Sequence, residues 1–186
     1  MNQKKTTQEE IRMAKKKRVL ISQEQIWNKA VELGKQITED YKDKELVLVG
    51  ILKGSVPWMA DIMKNVDLDD LTIDFMACSS YGSGKTTSGR VQIVKDLQED
   101  IRDKHVLIVE DIIDSGITLN YLKGYFKNKG AADVKICTLL DKPSGRKVDI
   151  EGEYVGFTIE DLFIVGYGLD YDQKYRQLPY ISCLED

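Results

Sequence analysis

A single histidine, His105, occurs in the whole sequence, together with only three cysteines, Cys78, Cys137 and Cys183. With one imidazole available, any Ser-His-Asp triad or histidine-rich centre would have to be built around His105. That residue follows a charged stretch and opens an apolar segment, which points to a surface role. An odd number of cysteines in apolar, strand-like settings argues for buried, reduced thiols rather than a disulfide framework. No two of them have the close spacing of a zinc site. Apolar runs long enough to span a bilayer are missing, and so is the apolar core of a secretory leader. The expectation is a cytoplasmic protein that does not contact a membrane. Nor is there a basic excess: 27 Lys and Arg stand against 31 Asp and Glu, a formal net charge of -4. That balance speaks against a dedicated nucleic-acid binder. The exception is the stretch from Lys4 to Arg18, where Lys15, Lys16, Lys17 and Arg18 are contiguous. No aromatic residues interleave these charges, so the run is read as a solvated tail.

What the sequence does hold is core-forming. Its 186 residues are 42% hydrophobic, enough for one compact domain with a small appended lobe. Ser22 and Gln25 form a capping box, and Ile26, Ala30, Leu33, Ile37 and Tyr41 recur at helical spacing. This predicts an amphipathic helix from about Gln23 to Tyr41. Leu46 to Ile51 is a continuous apolar run, as in a strand buried on both faces. A helix follows Ser55, with Pro57 in its first turn. Leu71 to Cys78 and Val91 to Lys95 are read as strands, separated by a glycine-rich loop from Tyr81 to Gly89. Val106 to Glu110 is a second fully apolar strand, followed by a helix from about Thr118 to Lys129 that Gly130 can cap. Val134 to Leu140 is a further strand, and the remainder is short strands and turns, including Leu162 to Tyr167. Strands alternating with helices imply an α/β fold with a mostly parallel central sheet flanked by helices. Ligands in such folds bind beyond the C-terminal ends of the strands.

The richest stretch lies at such an end. Val106 to Leu119 reads VLIVEDIIDSGITL. Gly116 permits a tight turn, and the amides of Ser115 to Thr118 can face one concavity at a helix N-terminus. The hydroxyls of Ser115 and Thr118 add donors, giving a nest suited to a phosphate dianion. Glu110 and Asp111, placed at the strand end, suit ribose hydroxyls or Mg²⁺. Asp114 lies between these acids and the nest, where a general acid or base would stand. Helix capping alone would account for one or two of these groups. Three acids, a glycine and two hydroxyls exceed what capping requires.

This segment resembles the motif of the type I phosphoribosyltransferases that binds 5-phosphoribosyl-1-pyrophosphate (PRPP). The resemblance implies that Glu110 and Asp111 contact the ribose and that Asp114, Ser115, Gly116, Ile117 and Thr118 take the 5-phosphate. It also gives Asp114 the proton at purine N7. Some relatives carry Lys where Ile117 stands, a departure of little consequence if backbone donors hold the phosphate. Phe163 to Arg176 (FIVGYGLDYDQKYR) resembles the C-terminal hood of the hypoxanthine-guanine branch. By that likeness Phe163 stacks on the purine, Ile164 meets its Watson–Crick edge, Asp170 lies near Mg²⁺ and the base, and Arg176 reaches pyrophosphate. Leu52-Lys53-Gly54-Ser55 is a glycine-containing loop between a strand and a helix. In the family the matching Leu-Lys peptide can be cis, and Lys53 and Gly54 then meet pyrophosphate. A lysine at the place of Lys142 hydrogen-bonds the purine O6 in the family, selecting 6-oxo over 6-amino bases. Ser80 and Tyr81 match the start of a mobile lid that excludes water.

The resemblance thus implies transfer of phosphoribose from PRPP to hypoxanthine or guanine. It also implies Mg²⁺ held by Glu110, Asp111 and Asp170, a hood built from the N-terminal segment and about 142–186, and a homodimer or homotetramer. Lys142 and Phe163 suit any 6-oxopurine, so a preference for xanthine stays open. A PRPP-binding regulator of nucleic acid would need a basic face, and only the N-terminal run offers one. Gly82 to Thr86 superficially matches the end of a nucleotide-binding P-loop. The first glycine of that motif is replaced by Ser79 and no helix follows, which excludes the match.

Overall fold

A computed structural model describes residues 17–80 and 91–184, apart from the side chains of Lys17 and Ser80. Most of the N-terminal basic run, the Ser80 side chain, Tyr81 and the stretch from Gly82 to Thr86 therefore lie outside the described residues. Local chemistry sets the helices. The Ser22 hydroxyl accepts from the Gln25 amide at 3.2 Å, and the Gln25 side chain accepts from the Ser22 amide at 2.8 Å. The capping box starts helix α1 (Gln23–Asp40), whose stripe of Ile26, Ala30, Leu33 and Ile37 is buried. Helix α2 (Val56–Asn65) carries Pro57 in its first turn, where the missing N–H costs nothing. Helix α3 (Ile117–Asn128) starts from Gly116 in a left-handed conformation at φ 77°.

The strands are β1 (Lys17–Ile21), β2 (Leu46–Leu52), β3 (Leu71–Ser80), β4 (Val91–Lys95), β5 (His105–Ile113), β6 (Asp133–Asp141), β7 (Tyr154–Thr158), β8 (Ile164–Val165) and β9 (Ile181–Leu184). Among the described residues a six-stranded sheet runs β4-β3-β2-β5-β6-β7, parallel except at the edge strand β4. A second, three-stranded sheet, β1-β9-β8, joins the two ends of the described chain in antiparallel pairing.

Alternation along β2 and β5 fills both faces of the larger sheet. Leu48, Leu107 and Val109 pack with Ile26, Leu33, Trp58 and Ile62 of α1 and α2. Val47, Val49, Val106 and Ile108 pack with Leu119, Leu122 and Phe126 of α3. Each such fully buried side chain contributes about 1.5–3 kcal/mol over its exposed state. No helix among the described residues is long and apolar enough to cross a membrane.

Two sequence expectations are corrected. The strand expected to stop at Glu110 continues to Ile113, so the paired acids lie within its last part. The strand expected over Leu162 to Tyr167 contracts to Ile164–Val165. Gly166 at φ 102° and Tyr167 at φ 47° turn the chain away from extended geometry there.

Candidate active site

The chain leaves β2 toward β3 and leaves β5 toward β6, on opposite sides of the β2–β5 pair. Helices α2 and α3, which make these crossovers, lie on opposite faces. This is the switch point at which an open parallel sheet forms a crevice. Register shows how it opens. Strands β2 and β5 pair as far as Gly50 with Val109, while β5 stays paired with β6 as far as Ile113 with Asp141. Between the parted ends lies a cleft of about 300 Å³, lined by Leu52, Gly54, Glu110, Asp111, Asp114, Ser115, Gly116 and Thr118. His105 opens the same strand at its other end, edge-to-face with Tyr41 and away from these acids.

The loop from Asp114 to Thr118 forms one wall. Gly116 is required twice: its φ is positive, and a Cβ there would collide with Ile150. No side chain caps α3 at Gly116. The Ser115 hydroxyl is 3.5 Å from the Ile117 amide, at the limit of a hydrogen bond. The first-turn amides have no intrahelical acceptor. The loop therefore presents amides and two hydroxyls to the cleft at the positive end of the helix dipole.

Opposite charge is concentrated at β5. Desolvation, and then the neighbouring Asp111 carboxylate, push Glu110 well above the usual carboxylate range. Desolvation raises Asp111 as well, against the lowering effects of the Glu110 contact, backbone amides and Arg176. Gly54 packs directly on Asp111, since a Cβ at Gly54 would collide with that carboxylate. The Leu52–Lys53 peptide before it is cis.

Lys142 follows β6 and reaches the cleft residue Asp114. Its amide donates to Ile113 O at 2.9 Å. Its ammonium is 16% exposed and stands 3.3 Å from Asp114 Oδ1 and 3.3 Å from Asp161 Oδ1. Two residues beyond Asp161, Phe163 is 51% exposed, which excludes a core role for its ring. The ring is edge-to-face with Tyr171, at 5.5 Å between centroids. Ile164 is buried and pairs with Cys183 in the small sheet.

The remaining wall joins the turn at Gly54 to the C-terminal segment. Gly168, at φ 97°, lies against the Gly54 carbonyl with no room for a Cβ. Arg176 donates to Gly168 O at 2.6 Å and pairs with Asp170 at 2.7 Å. Its Nε is buried without a hydrogen-bond partner. Gln173 accepts from Lys53 at 3.3 Å and from Arg176 at 3.4 Å. Among the described residues, no three carboxylates, histidines or cysteines converge as a metal cage. Asp170 is engaged by Arg176 and by the Gln173 amide at 2.8 Å instead of joining Glu110 and Asp111.

A loop of amides and hydroxyls at a helix N-terminus and a pair of desolvated acids around one switch-point crevice have a counterpart among known proteins. The phosphoribosyl transferase domain family matches residues 20–172. The chain belongs to this family. It is 51% identical over 168 residues to the hypoxanthine-guanine phosphoribosyltransferase of Bacillus subtilis (strain 168), covering 90% of this chain and 93% of that protein. It is 52% identical over 170 residues to the enzyme of the same name from Streptococcus pneumoniae (strain ATCC BAA-255 / R6), covering 91% and 94%. Among solved structures, a hypoxanthine phosphoribosyltransferase from Staphylococcus aureus superposes with a TM-score of 0.89 at 48% identity, covering 96% of this chain and 97% of that one. The central sheet is thus the type I phosphoribosyltransferase fold.

Sequence reasoning missed several residues of this site. Asp161, the second carboxylate on Lys142, was one isolated acid in a polar stretch. Gln173 and Gly168 join the two walls through contacts more than a hundred residues apart in sequence, which no local pattern encodes. Arg146, within DKPSGR, had a weak signal as a cation beside a glycine following a strand. The cysteines are free thiols: Cys137 and Cys183 are buried and Cys78 is half-buried. Burial first, then Glu110 and Asp96, push the Cys78 thiol up to about 11.

Proposed function

We propose that the protein is a purine-salvage transferase, moving the 5-phosphoribosyl group from PRPP to N9 of hypoxanthine or guanine. The products are IMP or GMP and pyrophosphate. The observation that carries this reading is the placement of a phosphate nest, two desolvated acids and the Lys142–Asp114 pair around one crevice. The amides of Asp114 to Thr118 and the hydroxyls of Ser115 and Thr118 receive the 5-phosphate. Glu110 and Asp111 accept from the ribose hydroxyls. Lys53, Gly54 and Arg176 face the pyrophosphate, Arg176 with an Nε still to be satisfied.

The donor set fits Mg²⁺. Two adjacent carboxylates without a third suit a hard cation that takes its other ligands from substrate phosphate and ribose oxygens. Glu110 and Asp111 would hold it, with Asp170 nearby on the hood. Bound there, Mg²⁺ neutralises pyrophosphate charge and makes it a better leaving group.

The purine enters with its ring on Phe163, its edge on the Ile164 backbone and its O6 toward Lys142. A 6-amino base would set donor against donor at that ammonium, which is how Lys142 selects 6-oxopurines. N9 forms its bond to ribose C1 as the C1–O bond to pyrophosphate breaks, and the N7 proton passes to Asp114. The hood over the base is assigned to the N-terminal segment and about 142–186, which between them supply the three strands of the small sheet. Ser80 and Tyr81 are assigned to the lid. The domain acts as a single unit in the cytoplasm and assembles as a homodimer or homotetramer. Incubation with PRPP, Mg²⁺ and hypoxanthine tests the reading: IMP and pyrophosphate in equal amounts support it, and their absence overturns it.

A further inference from the structure

The segment after β6, from Lys142 to Lys147, runs behind the phosphate loop and takes up its carbonyls in turn. The Lys142 amide donates to Ile113 O at 2.9 Å, and the Lys147 amide donates to Ser115 O at 3.0 Å. Between them the Arg146 guanidinium donates to Ile113 O at 3.0 Å and to Asp114 O at 2.7 Å. Its other terminal nitrogen pairs with Asp141. Both partners of that pair are largely covered, Arg146 being 17% and Asp141 18% exposed. Water therefore competes weakly for the guanidinium, and its planar fork suits three acceptors at once.

The geometry of the peptide unit gives these bonds a consequence. In a trans peptide the C=O and the following N–H point in opposite directions. Fixing the carbonyls of Ile113, Asp114 and Ser115 on the Arg146 side turns the amides of Asp114, Ser115 and Gly116 the other way. That way is the cleft, which Asp114, Ser115 and Gly116 line and Arg146 does not. Packing agrees: Arg146 Cδ would stand 3.2 Å from a Cβ on Gly116, so the side chain lies along the back of the turn.

We infer that Arg146 is a positioning residue for the phosphate site. It does not touch the ligand. By holding two loop carbonyls away from the cleft, with Asp141 fixing its own orientation, it aims the loop amides at the 5-phosphate before PRPP arrives. A loop left free would have to order its amides on binding, at the expense of affinity. The inference rests on the phosphoribosyl-transfer reading above.

The test compares wild type with Arg146→Ala and Arg146→Lys. PRPP with Mg²⁺ is titrated calorimetrically, KM is measured for PRPP and for hypoxanthine, and melting of the ligand-free proteins is followed. Lysine keeps the charge and can meet Asp141, but it has no fork for two carbonyls besides. The expected result is a rise of about tenfold in Kd and KM for PRPP in both variants. The KM for hypoxanthine changes by less than about twofold, since Lys142 keeps its own tie to Ile113. Methylguanidinium at non-denaturing concentration restores PRPP affinity to Arg146→Ala, which a merely structural loss would not permit. Should Arg146→Ala fail to fold, Arg146→Lys carries the same comparison. Wild-type PRPP affinity in Arg146→Lys, or equal losses for PRPP and hypoxanthine, overturns the inference. Absence of PRPP binding by the wild type overturns the underlying reading instead.

Discussion

Lys142 Nζ stands 3.3 Å from Asp114 Oδ1. In the proposed function these are the cation assigned to the purine O6 and the carboxylate assigned to the N7 proton, paired before substrate arrives. Asp161 Oδ1 is a second carboxylate oxygen at 3.3 Å from the same ammonium. Asp114→Asn removes the proton acceptor and leaves the ammonium with one carboxylate. It is expected to lower kcat about 100-fold or more and to change the Kd for PRPP by less than about threefold. Single-turnover kinetics beside equilibrium PRPP binding separates the two quantities. Equal losses in both would remove Asp114 from the proton-transfer role.

Phe163, assigned to the base site in the proposed function, is half-exposed and so contributes little to the core. Phe163→Ala is expected to raise the KM for hypoxanthine about tenfold or more through lost stacking. It should alter unfolding free energy by no more than about 0.5 kcal/mol, as at other exposed positions. Urea unfolding and steady-state kinetics check both numbers. A loss of about 3–5 kcal/mol, as for a core aromatic, would place the ring elsewhere in solution.

Gly54 is the contact through which the turn assigned to pyrophosphate touches Asp111, assigned to the ribose. A methyl group there collides with the Asp111 carboxylate. Gly54→Ala is expected to weaken PRPP binding by at least about tenfold, because either the turn or the acid must move. Titration with PRPP and Mg²⁺ measures this, and unchanged affinity would show that the two walls are not coupled.

Stability in acid depends on a different carboxylate, remote from the cleft. Asp74 is 7% exposed and accepts from the amides of Phe75 at 2.6 Å, Gln98 at 2.6 Å and Glu99 at 3.0 Å. Burial alone would raise its pKa. The Glu99, Phe75 and Gln98 amides, with Lys95, outweigh burial and hold it below its ordinary 3.8. A folded pKa below the unfolded one means that this contribution is present above about pH 3.8 and is lost as pH falls through the folded value. Asp74→Ala leaves three amides without their acceptor and is expected to cost about 3 kcal/mol at neutral pH. Below pH 3.8 the stability difference from wild type should shrink. Urea midpoints of the two proteins from neutral pH into acid give the comparison, and a constant difference would contradict the assignment.

Much of this was legible locally. The capping box at Ser22, the apolar β2 and β5, and the glycine turn at Gly116 are encoded within a few residues, so periodicity and turn chemistry reveal them. The parallel order of the sheet followed from alternation of strands and helices. The extent of β5 was not legible. Glu110 and Asp111 look like a strand end in sequence, yet pairing with β6 carries the backbone on to Ile113. The strand expected from Leu162 to Tyr167 failed because Tyr167 takes a positive φ that its sequence does not announce. The burial of Tyr167 and its hydrogen bond to Asp61 belong to a contact far along the chain. The same holds for Arg146, Asp161 and Gln173, whose roles arise only when separated loops meet. Of the lid assignment, Ser80 ends β3 with its side chain outside the described residues, and Tyr81 lies outside them altogether.

The most direct measurement is kcat/KM of the purified protein with PRPP and Mg²⁺, for hypoxanthine, guanine, xanthine and adenine in turn. The account predicts nucleotide formation from hypoxanthine and guanine, dependent on Mg²⁺, with adenine slower by about 10⁴-fold because it sets a donor against Lys142. Comparable turnover of adenine, or none with any base despite PRPP binding, would contradict it.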